Sequence, residues 1–389
     1  MEAAAPLEYS GKMIGLRYIS LFGSSGYAEA ARRYLLGLIK LEVPVTWTPM
    51  VRGNAWRLGY EPFEGRSVGD PELDAICNRP IPYDVVLMHI MPVFYPRLAE
   101  MAQGKRLAAY SVWETDRLPR AWRSLLKPVE LLMVPCEWNR LIFRKGGFRG
   151  AIEVVPHSLL PGQAPLPDAP EDSSAFVFYS LNVWSDRKAV DRTLAAYLRA
   201  FTAEDRVRLI LKTSDRHVTL RVPFTAWYPV STRWRVDQIS RKHRNPPALS
   251  LITETLSNAE IEDLHRQGQC YVSLCRSEGW GIGAFDAAAS GRPVIMTGFG
   301  GQTEFLPPDL AYLVRYRMVR TPFRPLEPHD WNHRWAEPDV NHAAALMRHV
   351  FENRAVARGK ARELARRLCE TYQSEAVART LLDCLQRHF

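Results

Sequence analysis

The chain lacks long apolar runs and contains little cysteine, and these two features argue against a membrane-spanning protein and against a disulfide-rich one. No stretch of its 389 residues approaches the ~20 apolar residues that a helix needs to cross a bilayer. Residues 1–20 include neither a basic segment nor a long apolar one, so we expect no signal peptide and a cytoplasmic protein. The cysteines show neither C-x-x-C spacing nor the density of a disulfide scaffold. We expect buried free thiols at Cys77, Cys136, Cys270, Cys275, Cys369 and Cys384.

Acidic residues also do not outnumber basic ones. Lys and Arg number 51 against 42 Asp and Glu, which gives a formal net charge of +9. An anionic substrate would account for this balance, and so would peripheral contact with the anionic inner face of a membrane. No zinc-finger, RNP-like or helix-turn-helix pattern occurs, so a nucleic-acid partner is not expected. Nucleic-acid binding through residues 217–244, which are basic and aromatic, is a weaker alternative. Arg32, Arg33 and Lys40 on the first predicted helix are expected to form a solvated face, with contact to anionic lipid as the alternative.

The length favours two domains, because one hydrophobic core rarely serves a chain of this size. In the first half, short apolar strands alternate with helices, which is typical of a parallel sheet with helices on both faces. Residues 161–175, rich in Pro, Asp and Ser, are predicted to form a linker. The strands are predicted at Lys12–Leu21, Asp84–His89, Leu107–Val112, Leu131–Val134 and Ile152–Val155, with a helix at Ala28–Leu41.

The second half repeats this alternation. Residues 217–247, which are basic, aromatic and proline-bearing, are interpreted as an insertion or elaborated loop. We therefore predict an α/β protein of two doubly wound domains, 1–160 and 176–365, facing each other across a deep cleft, with a final helix, 366–389, that can pack back on the first domain. Second-half strands are predicted at Phe176–Ser180, Arg208–Lys212, Leu249–Ile252, Cys270–Leu274, Pro293–Met296 and Ala311–Val314, and helices at Ala189–Phe201, Asn341–Phe351 and Ala355–His388.

One segment carries most of the functional information. Residues 277–286 read Ser-Glu-Gly-Trp-Gly-Ile-Gly-Ala-Phe-Asp and lead from a predicted strand into a helix of small residues. A Gly-rich turn at a helix start presents backbone N–H groups at the positive end of the helix dipole, which suits a diphosphate. The carboxylates of Glu278 and Asp286 would repel phosphate and are better suited to the hydroxyl groups of a sugar and a ribose. The pattern indicates a nucleotide-sugar site.

Several segments together resemble the retaining GT-B glycosyltransferases of family 4. The segments are Gly23–Ala31, Trp113–Pro119, Pro135–Asn139, Val155–His157, Ser277–Ile295, Gly300–Glu304 and Trp335–Asp339. The resemblance implies the GT-B fold, in which two Rossmann-like domains bind the acceptor and the nucleotide-sugar donor, respectively. It also implies transfer of a hexose, with retention, from a UDP- or GDP-sugar to a carbohydrate or glycolipid acceptor. No Asp-x-Asp pair stands in a suitable context, so we expect a metal-independent reaction without a further cofactor.

The resemblance also assigns residues to the site. Glu278 would contact hydroxyl groups of the donor sugar, and Asp286, one methylene shorter than the Glu usual in the family, would bind the ribose. His89, at the end of a predicted strand, would face the reacting sugar. Further donor contacts are expected from Gly23, Gly26, Gly279, Trp280, Gly281 and Ile282.

The diphosphate would be held by cations that follow the first strand of the second domain. Lys188 matches the lysine of the family, whereas Asn182 stands where an arginine is expected. Either Arg187 or Lys212 can replace that arginine. With Glu278 and His89, Lys188 completes the expected catalytic set.

Some of these residues also have a purely structural interpretation. His89 is as well explained as a core histidine, and Trp280 as a packing residue. Glu278 at a helix start would be a capping carboxylate, although capping does not explain the surrounding glycines. Gly23 and Gly26 are also typical of an ordinary turn. Four further polar residues are interpreted as more structural than chemical: Glu114, Asp116, His157 and Glu304.

The departures at Asn182 and Asp286 support a second hypothesis of another class. A GT-B-shaped protein that binds a nucleotide sugar, or acts as a scaffold with reduced catalysis, would tolerate both changes. A protein of that kind would bind a nucleotide sugar without transferring the sugar, whereas an active transferase would do both.

Overall fold

The computed structural model describes residues 14–53, 59–167, 175–218, 230–322 and 329–389. Within these residues the chain forms two mainly parallel sheets covered by helices, and a separate two-stranded ribbon. The predicted α/β class with two doubly wound sheets is therefore confirmed. The beginning of the first predicted strand, the middle of the predicted linker and residues 219–229 of the basic segment lie outside the described residues.

The first sheet has seven strands in the order β3-β2-β1-β4-β5-β6-β7, all parallel except β3, which runs antiparallel to β2. The strands are β1 (Leu16–Leu21), β2 (Val45–Arg52), β3 (Tyr60–Pro62), β4 (Val85–His89), β5 (Arg106–Tyr110), β6 (Leu131–Val134) and β7 (Ala151–Val154). Its helices are α1 (Gly26–Lys40), α2 (Pro71–Asp74), α3 (Tyr95–Met101), α4 (Trp122–Leu125) and α5 (Glu137–Lys145).

Strands β4 and β6 of the first sheet are buried throughout, which explains why their residues are nearly all apolar. In β4, Val85 and Leu87 join one core cluster, whereas Val86 and Met88 join the cluster on the opposite face, as the two-residue period of a strand requires. The strand order reverses between β1 and β4, so the loops after these strands diverge and open a crevice at the carboxyl edge. His89 lies at that edge.

The second sheet has six parallel strands in the order β10-β9-β8-β11-β12-β13, which reverses between β8 and β11. The strands are β8 (Phe176–Leu181), β9 (Val207–Lys212), β10 (Ala248–Ile252), β11 (Cys270–Ser273), β12 (Val294–Thr297) and β13 (Tyr312–Val314). An antiparallel ribbon, β14 (Tyr316–Arg320) with β15 (Arg334–Pro338), follows. The helices are α6 (Val190–Ala200), α7 (Thr232–Ser240), α8 (Asn258–Gln267), α9 (Ile282–Ala289), α10 (Val340–Glu352), α11 (Arg354–Thr371) and α12 (Ser374–His388).

The last two helices belong to different cores. Leu364 and Leu368 of α11 pack in the same cluster as Phe285 of α9. Helix α12 instead packs on α1, where Leu381 joins the first-domain cluster, and a Cβ on Gly37 would lie 2.9 Å from that of Ala378. The chain therefore crosses from the second domain to the first between α11 and α12. The boundary predicted after residue 365 falls inside α11.

Several elements differ from the sequence-based expectations. The single helix predicted over Ala355–His388 is two helices, and the segment predicted as an insertion contains α7, which is capped by the Ser231 side chain. Strands β2 and β3 and the ribbon β14–β15 were not predicted. The cysteines are free thiols, five buried and Cys369 half-buried.

None of the helices in the described ranges is long and apolar enough to cross a membrane.

Candidate active site

A cavity of about 1250 Å³ lies between the two domains and is lined by residues from both. Its first-domain wall comes from the β1–α1 turn and the ends of β4 and β5, and its second-domain wall from the loops after β8 and β11 and from α8 and α9. Both carboxyl edges thus face the same space, where ligands of doubly wound sheets bind. Most predicted site residues line it: Gly26, His89, Arg187, Lys188, Glu278, Gly279, Trp280, Gly281, Ile282 and Asp286.

Two predicted site residues are not brought to this cavity. Gly23 is exposed in the turn before α1, with a φ of 127° that favours glycine. The Lys212 ammonium lies at the end of β9 and donates to the carbonyl of Thr213 at 3.2 Å. Neither residue is among those that line the cavity. Of the two cations considered as substitutes for the missing arginine, the structure brings only Arg187 to the cavity.

Glu278 is held by two cations on the cavity wall. The Lys188 ammonium donates to one carboxylate oxygen at 2.5 Å, and the Arg187 guanidinium donates to the other at 3.0 Å. Arg187 also lies 3.4 Å from the carboxylate of Glu114. Burial raises the pKa of Glu278, but the charges of Lys188 and Arg187 outweigh burial, and the pKa is lowered overall. Glu278 is therefore a carboxylate at neutral pH.

Glycines allow the loop that carries Glu278 to approach its neighbours closely. A Cβ on Gly279 would lie 2.9 Å from Cβ of Val112 in the first domain. Gly281 caps α9 with a φ of 98°, which only glycine adopts without strain. Asn139 joins the two domains at this point, because its side chain accepts from the Trp113 amide at 2.7 Å and donates to the Gly279 carbonyl at 3.0 Å.

Asp286 pairs with Arg33, which was expected on a solvated face of the first helix. Both of its carboxylate oxygens accept from the Arg33 guanidinium, at 2.8 and 2.7 Å. The Arg33 side chain is only 2% exposed and also binds Glu29. The expected solvated or lipid-facing position of Arg33 is therefore wrong. This bidentate ion pair joins α1 of the first domain to α9 of the second.

His89 is buried in an aromatic cluster at the edge of the cavity. Its Nδ1 lies 2.6 Å from the Tyr18 hydroxyl, and its ring lies 4.3 Å from the ring of Tyr110. Burial, with a smaller effect of His157, lowers the pKa of His89 well below its usual value. The ring is therefore neutral at pH 7. No described residue bonds its Nε2 atom, so a neutral hydrogen-bonding group remains for a ligand.

Sequence reasoning missed Arg33 as a site residue, and it interpreted Glu114 and His157 as structural residues that can line the cleft. All three line the cavity. No local signal separates Arg33 from Arg32, because both residues have apolar or small neighbours at helical spacing. Asp116 and Glu304 are not among the residues that line the cavity, and Asp116 accepts from the Arg334 amide of the ribbon at 2.7 Å.

Three histidines buried in the cavity wall predict a loss of stability on mild acidification. Burial lowers the pKa of His157 to about 3 and of His265 to about 4, and that of His89 well below 6.5. Since the unfolded chain binds these protons first, stability is lost as pH falls below about 6.5, by up to about 1.4 kcal/mol per pH unit for each histidine. Urea unfolding between pH 7 and 5 measures this slope, and replacing His157 by Gln should reduce it. Equal stability at pH 7 and pH 5 would contradict the prediction.

Within the described ranges, no group of three or more His, Cys, Asp or Glu side chains is placed to hold a metal ion.

Comparisons with known proteins agree with the cavity and the fold. Residues 187–381 match the model of a family described as family 4 glycosyltransferases in conflict systems. This match covers half of the chain and includes Lys188, Glu278 and Asp286. No curated protein sequence matches the chain.

Solved structures show the same two-domain fold at low sequence identity. Sucrose-phosphate synthase from Thermosynechococcus elongatus is 13% identical, with a TM-score of 0.69 over 96% of this chain and 98% of that one. HepE from Anabaena, solved with UDP-glucose, is 13% identical, with a TM-score of 0.66 over 96% and 100%. TarM from S. aureus is 13% identical with a TM-score of 0.55; the match covers 77% of this chain and only 55% of TarM. The predicted GT-B fold is confirmed.

Proposed function

Because the chain belongs to the family 4 glycosyltransferases of conflict systems, we propose that it transfers a hexose from a nucleoside-diphosphate sugar to a hydroxyl group of a carbohydrate or glycolipid acceptor. The observation that carries the proposal is the Glu278 carboxylate, buried and held by Lys188 and Arg187, on the wall of the cavity between the domains. HepE, which shares the fold, was solved with UDP-glucose, and this supports a uridine nucleotide as the first donor to test.

The donor would bind to the second-domain wall. The loop after β11 ends at Gly281, so the first backbone N–H groups of α9 stand beside Glu278, where a helix start favours a phosphate group. Lys188 and Arg187 add positive charge to the same wall. Glu278 itself would accept hydrogen bonds from sugar hydroxyl groups while it remains paired with the two cations.

The reaction would depend mainly on electrostatic stabilisation. Negative charge grows on the leaving diphosphate as the bond to the sugar breaks, and cations fixed beforehand on the cavity wall stabilise that charge without rearrangement. Lys188 and Arg187 would supply this charge, and we propose that they make a metal ion unnecessary. In a retaining transfer the acceptor hydroxyl attacks from the face that the diphosphate leaves, so an oxygen of the leaving diphosphate, held by the same cations, would receive its proton.

The acceptor would approach from the first domain. Its wall presents Tyr27, Tyr60 and Met91 beside His89, and aromatic and apolar side chains of this kind pack against the C–H faces of sugar rings. His89 would contact the reacting sugar through its Nε2 atom. Transfer to a water-soluble oligosaccharide and transfer to a glycolipid in vesicles distinguish the two acceptor classes.

Nucleotide-dependent stabilisation tests the donor proposal without knowledge of the acceptor. A ligand at ~100 times its Kd stabilises the folded state by about 2.7 kcal/mol, so the matching UDP-, GDP- or ADP-hexose should raise the Tm by several degrees. Inorganic diphosphate serves as the control for charge alone. If no nucleotide sugar raises the Tm more than inorganic diphosphate does, the proposed donor site is wrong.

A further inference from the structure

His265 on α8 is one of the three buried histidines in the cavity wall, and no comparison gives it a role. It is 4% exposed and lines the cavity on the second-domain side. Its Nδ1 atom lies 2.8 Å from the hydroxyl of Tyr179, a fully buried residue of β8. Its backbone carbonyl accepts from the Arg292 guanidinium at 2.7 Å. Tyr179 therefore holds the ring, and Arg292 holds the backbone of the same residue.

These contacts define which ring nitrogen carries the proton. Within the described residues, the Tyr179 hydroxyl has no hydrogen-bond partner other than His265. A buried phenol donates its proton where an acceptor is present, so Nδ1 of His265 accepts. Burial lowers the pKa of His265 to about 4, and the ring is neutral at pH 7. The single proton of the neutral ring must then be on Nε2.

The Nε2–H group of His265 has no acceptor among the described residues. An unpaired buried donor costs free energy, and a bound ligand atom that accepts from it recovers that cost. The first domain contains the same arrangement, because Tyr18 of β1 holds Nδ1 of His89 and leaves its Nε2 without a partner. Each half of the cavity wall therefore contains one neutral histidine that is held at Nδ1 and has an Nε2 atom without a partner among the described residues.

The surroundings of His265 indicate which part of a donor it would meet. Asp286, the acid expected at the ribose, lines the same wall, as do Leu256, Asn258 and Ile261 at the start of α8. The cations Arg187 and Lys188 are instead grouped around Glu278. A neutral N–H donor beside Asp286 suits an uncharged oxygen rather than a phosphate.

We propose that His265 is a nucleoside-binding residue, whose Nε2–H donates to a ribose hydroxyl or a base carbonyl oxygen of the donor, and that Tyr179 is its positioning residue. This inference rests on the proposed function, and it names the part of the donor that the second domain recognises through an uncharged hydrogen bond.

Calorimetric titration of UDP, GDP and ADP into three variants tests the proposal. His265→Leu should weaken binding of the preferred nucleotide about tenfold, as expected for one hydrogen bond into a buried site. His265→Gln, whose amide nitrogen can replace Nε2, should remain within about threefold of the natural protein. His349→Leu, on the exposed face of α10, is the matched control and should bind normally. The Tm of each variant checks folding.

A second measurement is independent of nucleotide affinity. In the ¹⁵N spectrum of histidine-labelled protein, His265 should show the Nε2–H tautomer at pH 7, and Tyr179→Phe should lose that tautomer preference and weaken nucleotide binding. Normal binding by a folded His265→Leu protein, or the Nδ1–H tautomer in the natural protein, would overturn the role of His265 alone. If the natural protein binds none of the three nucleotides, the proposed function fails together with this inference.

Discussion

Replacement of Glu278 by Gln should reduce the transfer rate by about 10²–10³-fold, the effect typical of losing one fixed charge at a reacting centre. Gln keeps the size of the side chain but removes the charge that orders Lys188 and Arg187 at 2.5 and 3.0 Å. The two cations would then repel each other and lose their defined positions. Initial rates with the donor found by thermal shift measure the effect, and the Tm confirms that the protein is folded.

Glu337 provides a matched control for this experiment. It is a half-buried glutamate that, like Glu278, is paired with two cations, Arg192 at 2.7 Å and Arg276 at 2.6 Å, but it is not among the residues that line the cavity. Glu337→Gln should therefore change stability without a comparable loss of transfer. If Glu278→Gln were as active as Glu337→Gln, the catalytic role of Glu278 would be excluded.

Replacement of Arg33 by Met should destabilise the protein by about 3 kcal/mol, because it leaves Asp286 and Glu29 without their common cation. Removal of one partner of a buried ion pair typically costs about 3–5 kcal/mol, and the 16% exposure of the Asp286 side chain places the cost at the lower end. Urea unfolding measures it. Since the pair joins α1 to α9, weaker donor binding should accompany the loss of stability.

Arg32 is the matched control for Arg33. It is the next residue on α1 and also pairs with two acids, Asp70 and Glu72, but it is 22% exposed. Solvent screens such a pair, so Arg32→Met should cost less than about 1 kcal/mol. The double variant Arg33→Met/Asp286→Asn should recover part of the stability lost in Arg33→Met. Equal costs at Arg32 and Arg33 would contradict a buried interdomain pair.

The sequence predicted the parts of the fold that depend on local patterns. Strands such as β4 and β6 stand out because a strand buried on both faces has few polar positions. The Gly-rich segment after β11 was found because a tight turn before a helix needs residues such as Gly281. Residues grouped in one segment, from Glu278 to Asp286, therefore indicated one part of the second-domain wall of the cavity.

Features that depend on distant contacts were not predictable in this way. Arg33 and Asp286 are 253 residues apart in the chain, and nothing local distinguishes Arg33 from Arg32, its solvated neighbour. No glycine or proline marks the break between α11 and α12, and the two helices pack in different clusters. The choice between Arg187 and Lys212 was likewise open until the positions of β9 and the loop after β8 were known.

A crystal structure of the protein with its preferred nucleoside diphosphate bound is the most direct measurement of the donor site. We predict that the diphosphate lies within hydrogen-bond distance of Lys188 and of the first backbone amides of α9, with the nucleoside between Asp286 and His265. A nucleotide bound in the cavity with its diphosphate away from Lys188 and Arg187, or bound outside the cavity, would contradict the account.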